Sequence, residues 1–417
     1  MVKLKTIAPM LWQVLWLFIP CTPTPSMASK LPHVGLGALK DGDLPSGMNL
    51  QNVHILFRHG DRTPLGELLN DSMPFEKTWP LGRGQLTDEG VLQGFKLGMW
   101  LRQKYDFYLK QQYNASDFYM RSTDYDRTLM SAQAVAAGLY PQKSSLLESY
   151  GIQWRPIPVH TVQKDQETLL SLSTCYRLGK LQYEALTSES VDNFTESHRL
   201  LFSLINNSPV EVKIDRFNLW ELVDLLICMR ANNEPFPAWC TDDIFQEMRE
   251  VSKYFWLVMS RSSNEILQLE IGVFLKTFIQ HLMAITSGGS TVTINGRQLK
   301  SQHTVIYSAH DNHISYILGA FGVIADEEVP YSSAIVFELL GPEPPSPVES
   351  YRLRLRYKQG HLDEVGVYPT LKPCAGQPGV EGCSLSLVLE HLEPYCLDEE
   401  VYTELCREPS YTDVKLS

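Results

Sequence analysis

The chain has 417 residues, 44% hydrophobic and 20% charged, which is ordinary globular composition and leaves room for two or three domains. Its formal net charge of −12 offers no evident basic surface from which counterions could be released, so a nucleic-acid partner is disfavoured. An acidic surface also suits an acidic compartment, where protonating carboxylates relieve self-repulsion.

Lys3 and Lys5 precede an apolar run from Ile7 to Pro20, and Ser26-Met27-Ala28 offers the small residues a signal peptidase inspects. Residues 1–28 therefore read as a cleaved signal peptide; Pro9, Pro20, Pro23 and Pro25 leave the run short of the roughly 20 residues a membrane span needs. Cleavage removes two lysines and no acid, taking −12 to −14. No later stretch reads as a membrane span, so the mature chain is expected to be soluble, either secreted or in the lysosomal lumen. Sequons at Asn70, Asn114, Asn193 and Asn206 fit the same route. Cys21 leaves with the signal. Cys175, Cys228, Cys240, Cys374, Cys383, Cys396 and Cys406 remain, without zinc-finger spacing, and read as disulfides with one thiol left over. Spacing does not assign the pairs uniquely; the expected set is Cys228 with Cys240, Cys374 with Cys383, and Cys175 with Cys406, leaving Cys396.

In residues 51–64, QNVHILFRHGDRTP, Val53, Ile55 and Phe57 alternate with His54 and Leu56 as in a buried strand, which Gly60 and Pro64 stop. Arg58, His59 and Arg62 follow: two guanidiniums whose planar forks match phosphate oxygens, with an imidazole nucleophile between them. After a polar loop, Thr87 reads as the N-cap of an amphipathic helix through Leu92, Phe95, Leu97, Leu101 and Tyr105. A second strand, from Asp117 to Met120, ends in Arg121-Ser122-Thr123, and Asp124 or Asp126 is expected to cap the next helix. Residues 140–165 are Pro-rich. From about 166 to 287 apolar residues recur at helical spacing, which reads as a helical domain inserted into an α/β one; its aromatics read as core. The expected boundaries are 29–140 and 288–417 for the α/β domain and 141–287 for the cap. A third strand, 303–309, ends in His310-Asp311-Asn312-His313 before a helix, whose N-terminus favours an anion. Two antiparallel strands, AIVFELL and YRLRLRYKQG, precede a disulfide-tied tail with one short helix.

Ligands of open α/β sheets gather at the carboxyl ends of the strands. Placed side by side, the three strands bring Arg58, His59, Arg62, Arg121, His310 and Asp311 to one edge. Such a set fits a phosphomonoester hydrolase: His59 takes the phosphoryl group, Asp311 protonates the leaving alkoxide, and water then attacks the phosphohistidine. Arginines carry the charge in this scheme, so no metal or other cofactor is required.

RHGDRTP, YMRSTDYDRTLMSA and YSAHD resemble the three signature stretches of the histidine acid phosphatases, in the branch of the prostatic and lysosomal enzymes, and the likeness extends to WPLGRGQLT and WRPIPVHTV. The resemblance implies His59 as the phosphorylated nucleophile and Asp311 as the proton donor. It also implies that Arg58, Arg62, Arg121 and His310 bind phosphate. It further implies a phosphoglycerate-mutase-like α/β fold, a central mixed sheet flanked by helices with the mainly helical cap inserted, often as a homodimer acting on a small phosphomonoester or phosphoprotein. Two departures stand out. Asn312, followed by His313, stands where the relatives usually carry a threonine after the His-Asp pair, so that His313 is expected to alter the pocket rim and the choice of substrate, and Ser333 stands where a cysteine partner for Cys228 is expected.

Some residues have a plainer reading. His54 reads as structural, Asp61 as orienting Arg62 or capping the turn, and Arg127, beside the two acidic helix-start residues, as an ion-pair residue. The rival functions are metal-dependent hydrolysis through His310, Asp311 and His313, a catalytically silent binding protein on the same fold, and a phosphotransferase or inositol-phosphate phosphatase.

Overall fold

The computed structural model describes residues 44–407 except 46, 68, 70–74, 142–145, 153, 173–174, 290, 295–296, 301–303 and 324–327. The expected signal peptide (residues 1–28) and the Asn70 sequon lie outside the described residues. The elements in chain order are β1 (Asn49–Arg58), α1 (Phe75–Thr78), α2 (Asp88–Tyr105), β2 (Phe118–Ser122) and α3 (Asp126–Leu139). Six helices follow: α4 (Tyr176–Leu186), α5 (Glu189–Ser197), α6 (Arg199–Asn206), α7 (Leu219–Ala231), α8 (Asp242–Arg261) and α9 (Asn264–Thr286). The chain then forms β3 (Thr291–Ile294), β4 (Arg297–Lys300), β5 (Thr304–Ala309), α10 (Asp311–Ala320), β6 (Ala334–Gly341) and β7 (Arg352–Lys358). It finishes with β8 (Cys383–Ser384), α11 (Leu385–Leu392) and α12 (Glu399–Leu405). The β3–β4 hairpin and the second tail helix have no counterpart in the sequence reading.

The main sheet is mixed, with strand order β2-β5-β1-β6-β7-β8; β2, β5 and β1 run parallel, and β6, β7 and β8 are antiparallel. Register brings the parallel ends together: Arg58 pairs with Ala309, and Ser122 with Ser308. Both faces of β1 are covered. Val53, Ile55 and Phe57 pack on Leu97 and Leu101 of α2 and Val135 and Leu139 of α3. Leu56 faces the other core, with Phe274 and Phe278 of α9 and Ile314 and Ile317 of α10. His54 lies on that face too, its Nε2 2.7 Å from Nδ1 of His281, which is the structural place expected of it. Helices α5 to α8 build a separate apolar core from residues such as Val191, Ile205, Leu226 and Phe245, joined by Phe75 and Trp79. Among the described residues α9 alone is long and apolar enough to cross a bilayer, yet 67% of its most apolar window is buried inside the protein, as in a core helix.

Close backbone contact sets how α2 meets the turn after β1. A Cβ on Gly60 would lie 2.3 Å from the Gly90 carbonyl oxygen, and one on Gly90 2.2 Å from the Asp61 oxygen, so only glycine permits the approach. Thr87 caps α2 through the Gly90 amide as expected, and its hydroxyl also donates to Asp61 Oδ2 at 2.7 Å. At α3 the cap differs from expectation: Tyr125 occupies the N-cap without a side-chain bond, and Asp126 is already inside the helix. Thr128 takes over the local polar bonding, its hydroxyl lying 2.9 Å from the Thr123 and Tyr125 oxygens.

Disulfides join Cys175 to Cys406 and Cys374 to Cys383, as expected. The expected Cys228–Cys240 bond is absent: both thiols are free and buried, and Cys396 is free and half-buried. Cys228 points instead at the turn after β1, 3.5 Å from Arg62 Nη1 and 3.6 Å from the Tyr331 hydroxyl. Burial, first, and the nearby Asp224 push its thiol up to about 12, so it stays protonated.

Candidate active site

The site assembles where β1, β5 and β2 end. His59 follows β1, and its backbone amide donates to Ala309 at the end of β5 (3.2 Å). Its Nδ1 lies 2.8 Å from the Gly60 carbonyl oxygen, which can only accept. Nδ1 therefore carries the proton, and Nε2 presents a lone pair. Burial, Arg127, Arg58 and Arg62 together hold the imidazole well below its usual pKa, so it stays neutral in mild acid.

Arg127 is the residue that sequence reasoning missed. Rather than an ion pair with the acids just before it, it makes a hydrogen bond from its Nε to His59 Nε2 at 3.2 Å and lies over the Tyr125 ring at 4.6 Å. It is buried, and among the described residues no carboxylate lies within ion-pairing distance of it. Burial, and then the neighbouring Arg62, lower it to about 10, which leaves it a cation in mild acid. The signal was available in the second residue of the α3 helix: an N-terminal turn placed beside strand ends directs its side chains into the same cleft.

Arg121 lies elsewhere. Its Nη2 is 2.6 Å from both Glu167 oxygens in an ion pair buried at 3% and 5% exposure. Glu167 Oε1 also accepts from the Leu169 and Leu170 amides, so the pair ties β2 to the segment before α4. Arg121 is thus committed to Glu167, whereas Arg127 is the arginine that lies against the His59 ring.

Arg58 pairs with Asp311 (Nη2 to Oδ2, 2.9 Å), lies 4.1 Å over the Tyr331 ring, and donates to the Val329 carbonyl. Arg62 is gripped by Asp224 of α7, at 3.0 and 2.7 Å. The Nε–H of each of these guanidiniums is buried with no acceptor among the described residues. A buried donor left unmet costs about 1–3 kcal/mol, so a site carrying two of them beside a neutral imidazole is built to receive oxygen ligands. His310 is the N-cap of α10, with Nε2 2.9 Å from the Thr123 hydroxyl and its ring 5.4 Å from that of His59. Burial, then His59 and Arg127, depress its pKa as well. Asp311 opens α10; its side chain is 40% exposed, so it meets both the cleft and solvent.

Asp61 anchors rather than orients. Its carboxylate takes the Thr87 hydroxyl and the Asn232 amide (3.2 Å), and its backbone amide donates to Gln93. His313 is not at the rim: it is 1% exposed beneath His310, whose ring centre is 5.8 Å away. Among the described residues no three His, Cys, Asp or Glu side chains, His310, Asp311 and His313 included, converge as metal ligands would.

Residues 49–358 match the histidine phosphatase superfamily (branch 2). The chain belongs to this family. It is 32% identical over 300 residues to the lysosomal acid phosphatase of Xenopus laevis, covering 71% of this chain and 67% of that one. It is also 32% identical over 337 residues to the prostatic acid phosphatase of Bos taurus, covering 79% and 84%. The phytase of Hafnia alvei shares the fold, with a TM-score of 0.64 at 17% identity over 88% of this chain and all of that one. Family membership and these relatives make the chain a phosphoric monoester hydrolase of the histidine type.

Proposed function

We propose that the protein is an acid phosphatase of the secretory route that hydrolyses small phosphomonoesters, or phosphoproteins, through a phosphohistidine on His59. The observation that carries this reading is the His59 ring itself: Nδ1 is fixed as a donor by Gly60, and Nε2 faces Arg127. A phosphoryl group entering there meets Nε2 on one side and the unmet Nε–H groups of Arg58 and Arg62 on another. Arg58, Arg62, Arg127 and His310 stabilise the equatorial oxygens, which is most of what phosphoryl transfer asks of a protein. As phosphate takes over Arg58, Asp311 is released from its ion pair and takes up a proton from the acidic solvent that its half-exposed side chain meets; it gives that proton to the leaving alkoxide, and the carboxylate left behind then accepts a proton from the water that attacks the phosphohistidine.

The same proposal takes residues 1–28 as a signal peptide and residues 141–287 as a cap over the α/β part, with a secreted or lysosomal location, in keeping with relatives named for lysosome and prostate. It also includes a homodimer. Asn114 and Asn193 are exposed and suit glycans, whereas the Asn206 amide donates to the Ile214 carbonyl at 2.9 Å and is committed to the fold. The test is phosphate release from an aryl phosphate between pH 4 and 8 with a chelator present, using wild type, His59→Ala and Asp311→Asn. Expected are an acid optimum, an inactive histidine variant, and an aspartate variant slowest on poor leaving groups. Chelator sensitivity, or activity surviving in His59→Ala, would sink the mechanism.

A further inference from the structure

We infer that Asp224 on α7 is a positioning residue for the phosphate pocket: it fixes the far edge of Arg62 so that the near edge meets a phosphate oxygen. This deepens the reading of the site given above and rests on it. Asp224 and Cys228 of α7 and its C-cap Asn232 are spaced i, i+4 and i+8, so they form one stripe that runs down the helix to its end. Each touches the turn after β1. Asp224 takes Arg62 Nη1 and Nη2, Cys228 lies 3.5 Å from Arg62 Nη1, and Asn232 donates to Asp61 Oδ2 at 3.2 Å. The helix therefore grips both residues that follow Gly60.

The donor accounting for Arg62 shows what this grip achieves. Nη1 is used by Asp224 Oδ2 and by the Thr63 carbonyl (3.1 Å), and one N–H of Nη2 by Asp224 Oδ1. What remains is the side edge of the guanidinium, where the Nε–H is buried without an acceptor among the described residues and the second Nη2–H lies beside it. Two parallel donors on a fixed plane are the fork that matches two oxygens of a phosphate. The Arg62 and Asp224 side chains are only 6% and 15% exposed, so water does not loosen the pair. Asp224 also removes one net charge from a pocket of three guanidiniums, which keeps product phosphate from binding too tightly; orientation nevertheless dominates, because a swung guanidinium loses both fork bonds at once.

Calorimetry with inorganic phosphate at pH 5, alongside aryl phosphate kinetics and urea unfolding, tests this on wild type, Asp224→Ala, Asp224→Asn and His59→Ala. Asp224→Ala is expected to weaken phosphate binding by about tenfold or more and to lower kcat by about a hundredfold, as misplaced binding groups do. Asp224→Asn keeps one acceptor for Arg62 and should lose less in both. Unchanged or tighter phosphate binding in Asp224→Ala overturns the inference, since a carboxylate that merely competed with phosphate would give that result. So does a binding loss accounted for by the unfolded fraction. Because calorimetry needs no turnover, the inference stands or falls apart from the catalytic role of His59: activity retained in His59→Ala overturns the mechanism while leaving the Asp224 comparison intact.

Discussion

Replacing Arg127 and Arg121 separately by alanine distinguishes the arginine that faces the reaction from the one that holds the fold. Arg127 donates to His59 Nε2 at 3.2 Å, and under the proposed mechanism its donors turn to the phosphoryl oxygens in the transition state. Removing one such preorganised donor costs about 10²–10³ in kcat, and here the charge goes with it. A loss of about 10³-fold is expected for Arg127→Ala, or about 4 kcal/mol at 1.36 kcal/mol per decade. Folding stability should barely change, because among the described residues Arg127 has no carboxylate partner to abandon. Arg121→Ala leaves Glu167 charged and 5% exposed, and breaking a buried pair in this way costs about 3–5 kcal/mol of stability. Its kcat per folded molecule should stay within about threefold of wild type. Steady-state kinetics on an aryl phosphate at pH 5, paired with urea unfolding of each variant, reads both quantities. An Arg127→Ala enzyme within tenfold of wild type, or a folded Arg121→Ala enzyme slowed a hundredfold, would refute the assignment.

Other consequences concern pH and thiols. Since burial and three arginines hold the folded pKa of His59 well below 6.5, its imidazole stays unprotonated in mild acid, and if it is the proposed nucleophile the acidic limb of the kcat/KM profile is expected well below pH 6.5; a limb at or above that value would contradict the local charge balance. Burial raises Glu270 to about 7 from an ordinary 4.5, so its contribution to stability is fully present below about 4.5 and is lost as pH rises through 7. Glu270→Gln should therefore gain on wild type between pH 5 and pH 8, by roughly 2–3 kcal/mol in urea unfolding, and equal shifts at both pH values would count against it. With Cys228, Cys240 and Cys396 free, protein beginning after residue 28 should titrate three thiols when denatured without reductant. A single thiol would restore the Cys228–Cys240 bond.

Much of the catalytic edge is legible from local pattern. Alternation around Val53, Ile55 and Phe57, the abrupt RHG, and the YSAHD stretch are short-range signals: each places a polar cluster at a strand's end without knowledge of any other strand. The Thr87 cap and the amphipathic course of α2 are local in the same sense. Arg121 and Arg127 show where that legibility stops. Both are arginines, Arg121 near the end of β2 and Arg127 a short turn beyond it in α3; which enters the cleft depends on the face of β2 and the entry angle of α3, which packing against β5 decides. His313 is similar, since its depth follows from how α10 lies on the sheet and not from its place two residues after Asp311.

Cysteine pairing and the Asp224–Arg62 contact lie wholly beyond local pattern. Cys228 and Cys240 are near in sequence, yet α7 turns Cys228 toward Arg62 and Tyr331, and Asp224 meets Arg62 across 162 positions of chain. Sequence by itself determined the chemistry at the strand ends, because identity and period are written residue by residue. Tertiary structure alone decided which charges face one another there, because that depends on how separately formed elements close on one another.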